Sequence, residues 1–351
     1  MPIKTDSLAL NEDFLRKIVD GTVHNFGTNL KVVIGYETNV SGMKLMHCML
    51  HRFSDYGVKV VLTANPNRWM LAEAVISSES SIAFFLSEDI RRVYFLNHLG
   101  REVSGSWIKS IIGGHYDDTI KQLGHNDHKS VECLSFFNDY LDSVYGPISD
   151  LSCAQKYFFD IDCSFDYTSS NYMKDIAAKI GLQKYSIKSY KPFSFNAVGR
   201  KYISVNKKIK DLANKSSAKL NKVSVLFLPN GKGVNVAYYG VGWLNTLTIA
   251  VLSILMMHER KMVPSIWYCG FAVNSFVVNF LAQKGIKLYF STVKNFYGYS
   301  AFIGNDHSLS LRKNNYKIDS FHSAIMSVQA IDHFSISKFQ LDSLNRAVLV
   351  H

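Results

Sequence analysis

Three short tracts of this chain gather side chains that can do chemistry. GHNDHK, residues 124–129, sets His125, Asp127 and His128 within four positions, donor types that suit a borderline divalent metal. Residues 201–222 carry Lys207, Lys208, Lys210, Lys215 and Lys219, a cationic run that attracts phosphates. The turn PNGKG, residues 229–233, places Asn230 and Lys232 between two apolar runs. Each tract also has a plainer explanation. Short polar tracts between periodic segments are ordinarily solvated loops, and two imidazoles with a carboxylate say little about a metal without partners that orient them. In the lysine run, Ile209 and Leu212 mark one amphipathic helix with a solvated basic face. No aromatic residue interleaves with lysines 207–219 as a platform for stacked bases.

The elements that must hold such residues follow a βα rhythm. Residues 11–26 predict a helix, 30–35 a strand, 36–42 a loop, 43–56 a helix and 58–62 a strand, the alternation of an open sheet covered by helices. Strands are expected at 81–86 and 93–96, and a helix at 107–112. A second βα pattern begins at residue 156, KYFFDIDCSF, with a helix at 170–180 and a strand at 184–187. Asp160 and Asp162 lie in it, as buried or capping carboxylates. The β-branched run 223–228 predicts a buried strand, 229–233 a turn and 234–239 a returning strand. Asn245 then caps a helix over 246–257 that is apolar on nearly every face, so it must be packed between layers. A third pattern has strands at 265–269 and 286–290 around a helix at 274–284.

The fold class is therefore α/β, and 351 residues suggest two or three domains. A hydrophobic fraction of 47% with 19% charged residues is ordinary for a globular chain. No apolar run reaches the roughly 20 residues that cross a bilayer, and MPIKTDSLAL lacks the apolar core of a signal peptide. Cys48, Cys133, Cys153, Cys163 and Cys269 are odd in number and widely spaced, which points to reduced thiols and a cytoplasmic location. The net charge of +11 favours anions, whether sugar phosphates, nucleic acid or acidic lipid, without choosing among them.

The strand, turn, strand and buried helix of residues 222–257 resemble the metal-binding loop of the α-D-phosphohexomutases, the phosphoglucomutases and phosphomannomutases. In that family an Asp-Gly-Asp-Ala-Asp-Arg loop ends the first strand, and its three carboxylates hold magnesium. The register here runs without a gap from Phe227 to Asn245, and Trp243, Leu244 and Asn245 match the family's Phe-Leu-Asn before the helix. The three aspartate positions fall on Leu228, Asn230 and Lys232, and the arginine on Gly233. A magnesium site needs hard anionic oxygens, so no magnesium is expected.

The resemblance extends over residues 10–335 and implies three successive mutase-type α/β domains, each a mixed sheet between helices: 1–140, 141–240 and 241–335, then a short tail, 336–351, with no fourth domain. The loop arginine of the first domain becomes Asn39, following Glu37 and Thr38. The family's phosphoserine falls on Ser87, with Glu88 and Asp89 in place of histidine and asparagine. Two such carboxylates would repel a phosphate by roughly 1 to 4 kcal/mol for each close pair, an effect that Arg91 and Arg92 oppose. Lys294 takes the place of a glycine in the family's Thr-x-Val-Gly segment. Its sugar loop, Gly-Glu-Glu-Ser-Gly, falls on Gly304, Asn305, Asp306, His307 and Ser308, and Asp319 keeps the family's aspartate before a helix.

Nucleophile loop, metal loop, sugar loop and phosphate clamp are all altered. Losing metal and clamp removes several kcal/mol, and about 1.4 kcal/mol is tenfold in rate, so the resemblance implies a catalytically inactive protein. Binding of a sugar phosphate or other small anion is expected, or a regulatory role beside a protein partner or active paralogue, with no cofactor. The alternatives are a weakly active hexose-phosphate mutase working through Ser87 and a basic nucleic-acid binder.

Overall fold

The computed structural model describes residues 12–38, 40–87, 92–100, 103, 105–113, 131–133, 136–148, 155–164, 166–189, 221–228, 233–238, 242–291, 301–304, 307, 309–311 and 318–347. The chain divides into two compact units, residues 1–140 and 141–351.

The first unit contains α1 (Glu12–Phe26), β1 (Lys31–Tyr36), α2 (Val40–Asp55), β2 (Lys59–Ala64), α3 (Arg68–Ser77), β3 (Ile82–Ser87), β4 (Arg92–Asn97), α4 (Gly105–Gly113) and β5 (Val131–Cys133). Its sheet runs β4-β3-β1-β2-β5, parallel except for the antiparallel β3–β4 pair. Strands β1 to β4 are buried along most of their length, which is why they read as continuous apolar runs, whereas Val131 and Glu132 of the edge strand β5 are exposed. Val32 and Ile34 pack with Phe14, Ile18, Met49 and Phe53 of α1 and α2. Val33 and Val61 face the other way, onto Leu71 and Val75 of α3. A Cβ on Gly35 would stand 2.6 Å from Pro66 Cγ and 2.9 Å from Leu71 Cδ1, so glycine lets α3 approach β1. Helix α2 begins at Val40, inside the loop expected over 36–42. The turn is tight because a Cβ on Gly42 would lie 2.3 Å from the Glu37 carbonyl oxygen.

After α5 (Phe137–Tyr145), within which the division falls, the second unit holds two sheets. The first uses β6 (Phe158–Asp162), α6 (Tyr167–Lys179), β7 (Tyr185–Lys188), β8 (Lys222–Phe227), β9 (Val234–Tyr238) and β10 (Gly242–Leu244), in the order β10-β9-β8-β6-β7. The sequence does not predict β10, which carries this sheet to Leu244. After α7 (Thr246–Glu259) come β11 (Ile266–Cys269), α8 (Ser275–Ala282), β12 (Lys287–Phe290), β13 (Ala301–Ile303) and β14 (Leu309–Leu311), ordered β12-β11-β13-β14. Helices α9 (Ser320–His333) and α10 (Lys338–Arg346) follow.

One pattern recurs in all three sheets. The first strand is central, the second lies parallel on one side and the third parallel on the other. A fourth folds back antiparallel outside the third. Each sheet therefore carries one such hairpin, β3–β4, β8–β9 or β13–β14, and in the second sheet β10 adds antiparallel outside β9. This is the mixed α/β architecture expected.

Helices α7 and α9 form the core of the second unit. Residues 247–257 and 321–331 are all buried, and the two helices pack on each other. The expected tail is instead structured by α10, whose Ser337 and Gln340 make a capping box that satisfies two otherwise unpaired N–H groups. Asn345 of α10 donates to the Trp243 carbonyl (2.9 Å) and accepts from Asn245 N (3.1 Å). Among the described residues no helix is long and apolar enough to cross a membrane, and Cys48, Cys163 and Cys269 are free thiols.

Candidate functional site

Two hairpin ends meet at the first residue of α7. In β8–β9 the last ladder pair is Phe227 with Val234, and Leu228 N–H donates to the Gly233 carbonyl at 2.9 Å, closing the base of the turn. A Cβ on Gly233 would stand 3.6 Å from Thr246 Cγ2 and 3.7 Å from Leu228 Cδ1, so this end of the turn rests on hydrocarbon. Asn245 caps α7 as the sequence predicts: its Oδ1 accepts from Thr248 N at 2.7 Å, and its own amide donates to the Asn345 carbonyl at 2.9 Å. Thr246 is thereby fixed.

The β13–β14 hairpin reaches the same threonine by a polar contact. His307 N–H donates to the Gly304 carbonyl at 2.8 Å, and His307 sits at φ +62°, a left-handed conformation sparsely used by residues other than glycine. Its Nδ1 lies 2.7 Å from Thr246 Oγ1, and its ring centroid is 5.1 Å from that of Phe271. Which of the two groups donates in this contact, the threonine hydroxyl or the ring nitrogen, is set by the tautomer of the ring. Thr246 thus lies beside both the Gly233 backbone and the His307 ring, which belong to different hairpins.

Ser87 is placed differently from its expected loop position. It is the last residue of β3 and pairs directly with Arg92 of β4, in register with the rest of the hairpin. Asn230, Lys232, Lys294, Asn305, Asp306 and Ser308 lie outside the described residues, as do Asn39, Glu88, Asp89, Arg91, His125, Asp127, His128 and the basic run 207–219.

Three of the aspartates named in the sequence, all among the described residues, have structural partners. Asp319 caps α9, accepting from His322 N at 2.7 Å and from the Tyr145 hydroxyl at 2.5 Å. Asp160 binds Lys222 Nζ at 2.7 Å and Ser186 Oγ at 2.8 Å, across neighbouring strands. Asp162 is buried and accepts from Ser164 N at 3.0 Å. A cluster absent from the sequence reading joins β9 to α9: Tyr157 and Tyr238 both donate to Asp332 Oδ1, at 2.6 and 3.1 Å, and Lys156 Nζ holds Oδ2 at 3.1 Å. Burial, the Tyr157 bond and the Asp332 charge together push the Tyr238 phenol well above its ordinary range.

The family's magnesium can be tested against this geometry. Leu228 stands at the first carboxylate position and offers only hydrocarbon, in contact distance of the Gly233 Cβ position. At this one position the side chain offers no oxygen to a metal.

The three-sheet order with these hairpins has counterparts of known structure. A Thermus thermophilus protein described as a phosphomannomutase superposes with a TM-score of 0.72 at 14% identity, covering 98% of this chain and 81% of that one. The chain has the phosphohexomutase fold. A phosphoglucomutase/phosphomannomutase family protein from Burkholderia thailandensis gives 0.69 at 12% identity, over 98% and 77% of the two chains. Parafusin, a phosphoglucomutase from Paramecium in its open form, gives 0.66 at 10% identity, over 95% and 70%. No protein-family model and no curated protein sequence matches the chain. The phosphohexomutase fold is therefore kept at identities too low to carry an activity with it.

Proposed function

We propose that this chain is a phosphohexomutase-fold protein that binds a small anion of the sugar-phosphate class without catalysing phosphoryl transfer, as a binding or regulatory module. One observation carries the proposal: the turn between β8 and β9 is closed on Leu228, a hydrocarbon side chain where a mutase needs its first magnesium ligand. In sequence the other two ligand positions hold a neutral amide, Asn230, and a cation, Lys232. An ammonium there supplies positive charge without a metal, and Lys294 adds a second. His307 is anchored on Thr246, with Asn305 and Asp306 beside it in sequence. Because Ser87 is engaged in the β3–β4 ladder, its backbone follows the strand rather than a free phosphate-bearing loop.

The test is incubation with hexose 1-phosphate, a hexose bisphosphate primer and magnesium, with product and Ser87 phosphorylation followed by mass spectrometry. The proposal expects neither hexose 6-phosphate nor phosphoserine. Magnesium-dependent conversion, with phosphate on Ser87, would replace it with a working mutase.

A further inference from the structure

Helix α2 carries a feature unrelated to the mutase scaffold. His47 and His51 are one turn apart on it, both are exposed, and their ring centroids are 6.3 Å apart. Side chains four residues apart share one helix face, and two imidazoles in that spacing form a standard bidentate pair for a borderline metal. We propose that His47 and His51 form a surface site for a divalent transition metal of the zinc or copper class.

Metal–nitrogen bonds of about 2.1 Å would draw the rings to roughly 5 Å between centroids, a closure of about 1 Å. Two exposed side chains reach this by small changes within their rotamer wells. Imidazole suits zinc, copper and nickel, whereas magnesium and calcium prefer oxygen, so the site selects by ligand type. Met43, one further turn back on the helix and 43% exposed, carries a soft thioether of the kind that copper prefers. Cys48 does not contribute. Its Sγ is turned toward the Glu12 carbonyl oxygen at 3.9 Å, and burial pushes its thiol above the ordinary value. Among the described residues no third histidine, cysteine or carboxylate completes a cluster, so the remaining positions are open to water or to a ligand from another molecule. Lys44, on the same helix face, opposes a cation electrostatically, which makes coordination rather than charge the source of affinity.

The experiment is calorimetric titration of the full chain with zinc chloride, with electron paramagnetic resonance of the copper(II) form. One site is expected, with equatorial nitrogen ligands. Loss of the chelate in H47Q or H51Q should weaken binding about a hundredfold, since the second imidazole acts at high effective concentration. Both substitutions are on a solvated helix face, and circular dichroism checks that each variant folds. H125Q/H128Q should bind as the parent chain does. Unchanged binding in H47Q and H51Q, or loss in H125Q/H128Q, would overturn the proposal.

Discussion

The β8–β9 and β13–β14 hairpins hold the same position in their sheets and meet the same residue, yet they are tethered by opposite means. In the first, the Cβ position of Gly233 lies 3.6 Å from the Thr246 methyl carbon, and Leu228 N–H donates to the Gly233 carbonyl. The second is tied by a 2.7 Å hydrogen bond between the same threonine's hydroxyl and an imidazole held at positive φ. The left-handed conformation of His307 costs about 1–3 kcal/mol, which the surrounding contacts must hold.

Four variants probe this contrast. The largest effect is expected from L228D/N230D/K232D, which puts carboxylates at all three ligand positions. Placing a carboxylate in the half-buried Leu228 site should cost about 1–3 kcal/mol without metal, seen as a lower Tm in EDTA. Magnesium should raise the Tm of this variant and leave the parent unchanged, because a ligand that binds only the folded state stabilises it. Next is H307A, which loses the Thr246 bond and keeps the unfavourable φ, and should lose about 1–2 kcal/mol by denaturant titration. H307G should lose about 0.5–1 kcal/mol less than H307A, since glycine accepts that conformation readily. If the two variants are equally stable, the left-handed turn is not held by the imidazole. The smallest effect is expected from T246V, which keeps the methyl contact of the first hairpin and removes the hydroxyl of the second, for about 1 kcal/mol. Combined with H307A, the losses should fall short of additive by roughly 0.5 kcal/mol or more, the signature of a shared contact.

Much of the scaffold is legible in the sequence because its signals are local. The β-branched run of β8, the turn residues after it, the Asn245 cap and the all-apolar α7 each announce themselves within a few residues. Helix α3 has comparable signals, Pro66 followed by the Asn67 cap that accepts from Met70 N, but its near-uniform apolarity gives no amphipathic period to find it by. Helix α10 carries a readable signal too, Ser337 and Gln340 at the spacing of a capping box, where the family resemblance implies only a tail. The position of Ser87 depends on pairing across a hairpin, which no count from the preceding strand reveals. The Thr246–His307 contact joins residues 61 apart in sequence, and the Tyr157–Asp332 contact residues 175 apart. Such contacts are made by topology and leave no pattern along the chain.

The central claim is that this scaffold holds a sugar phosphate without a divalent cation. It is tested most directly by calorimetric titration of the protein with glucose 1-phosphate in EDTA and again with magnesium. The account predicts the same affinity in both, reduced in K232D and H307A. Binding that appears only with magnesium, or no binding in either condition, would contradict it.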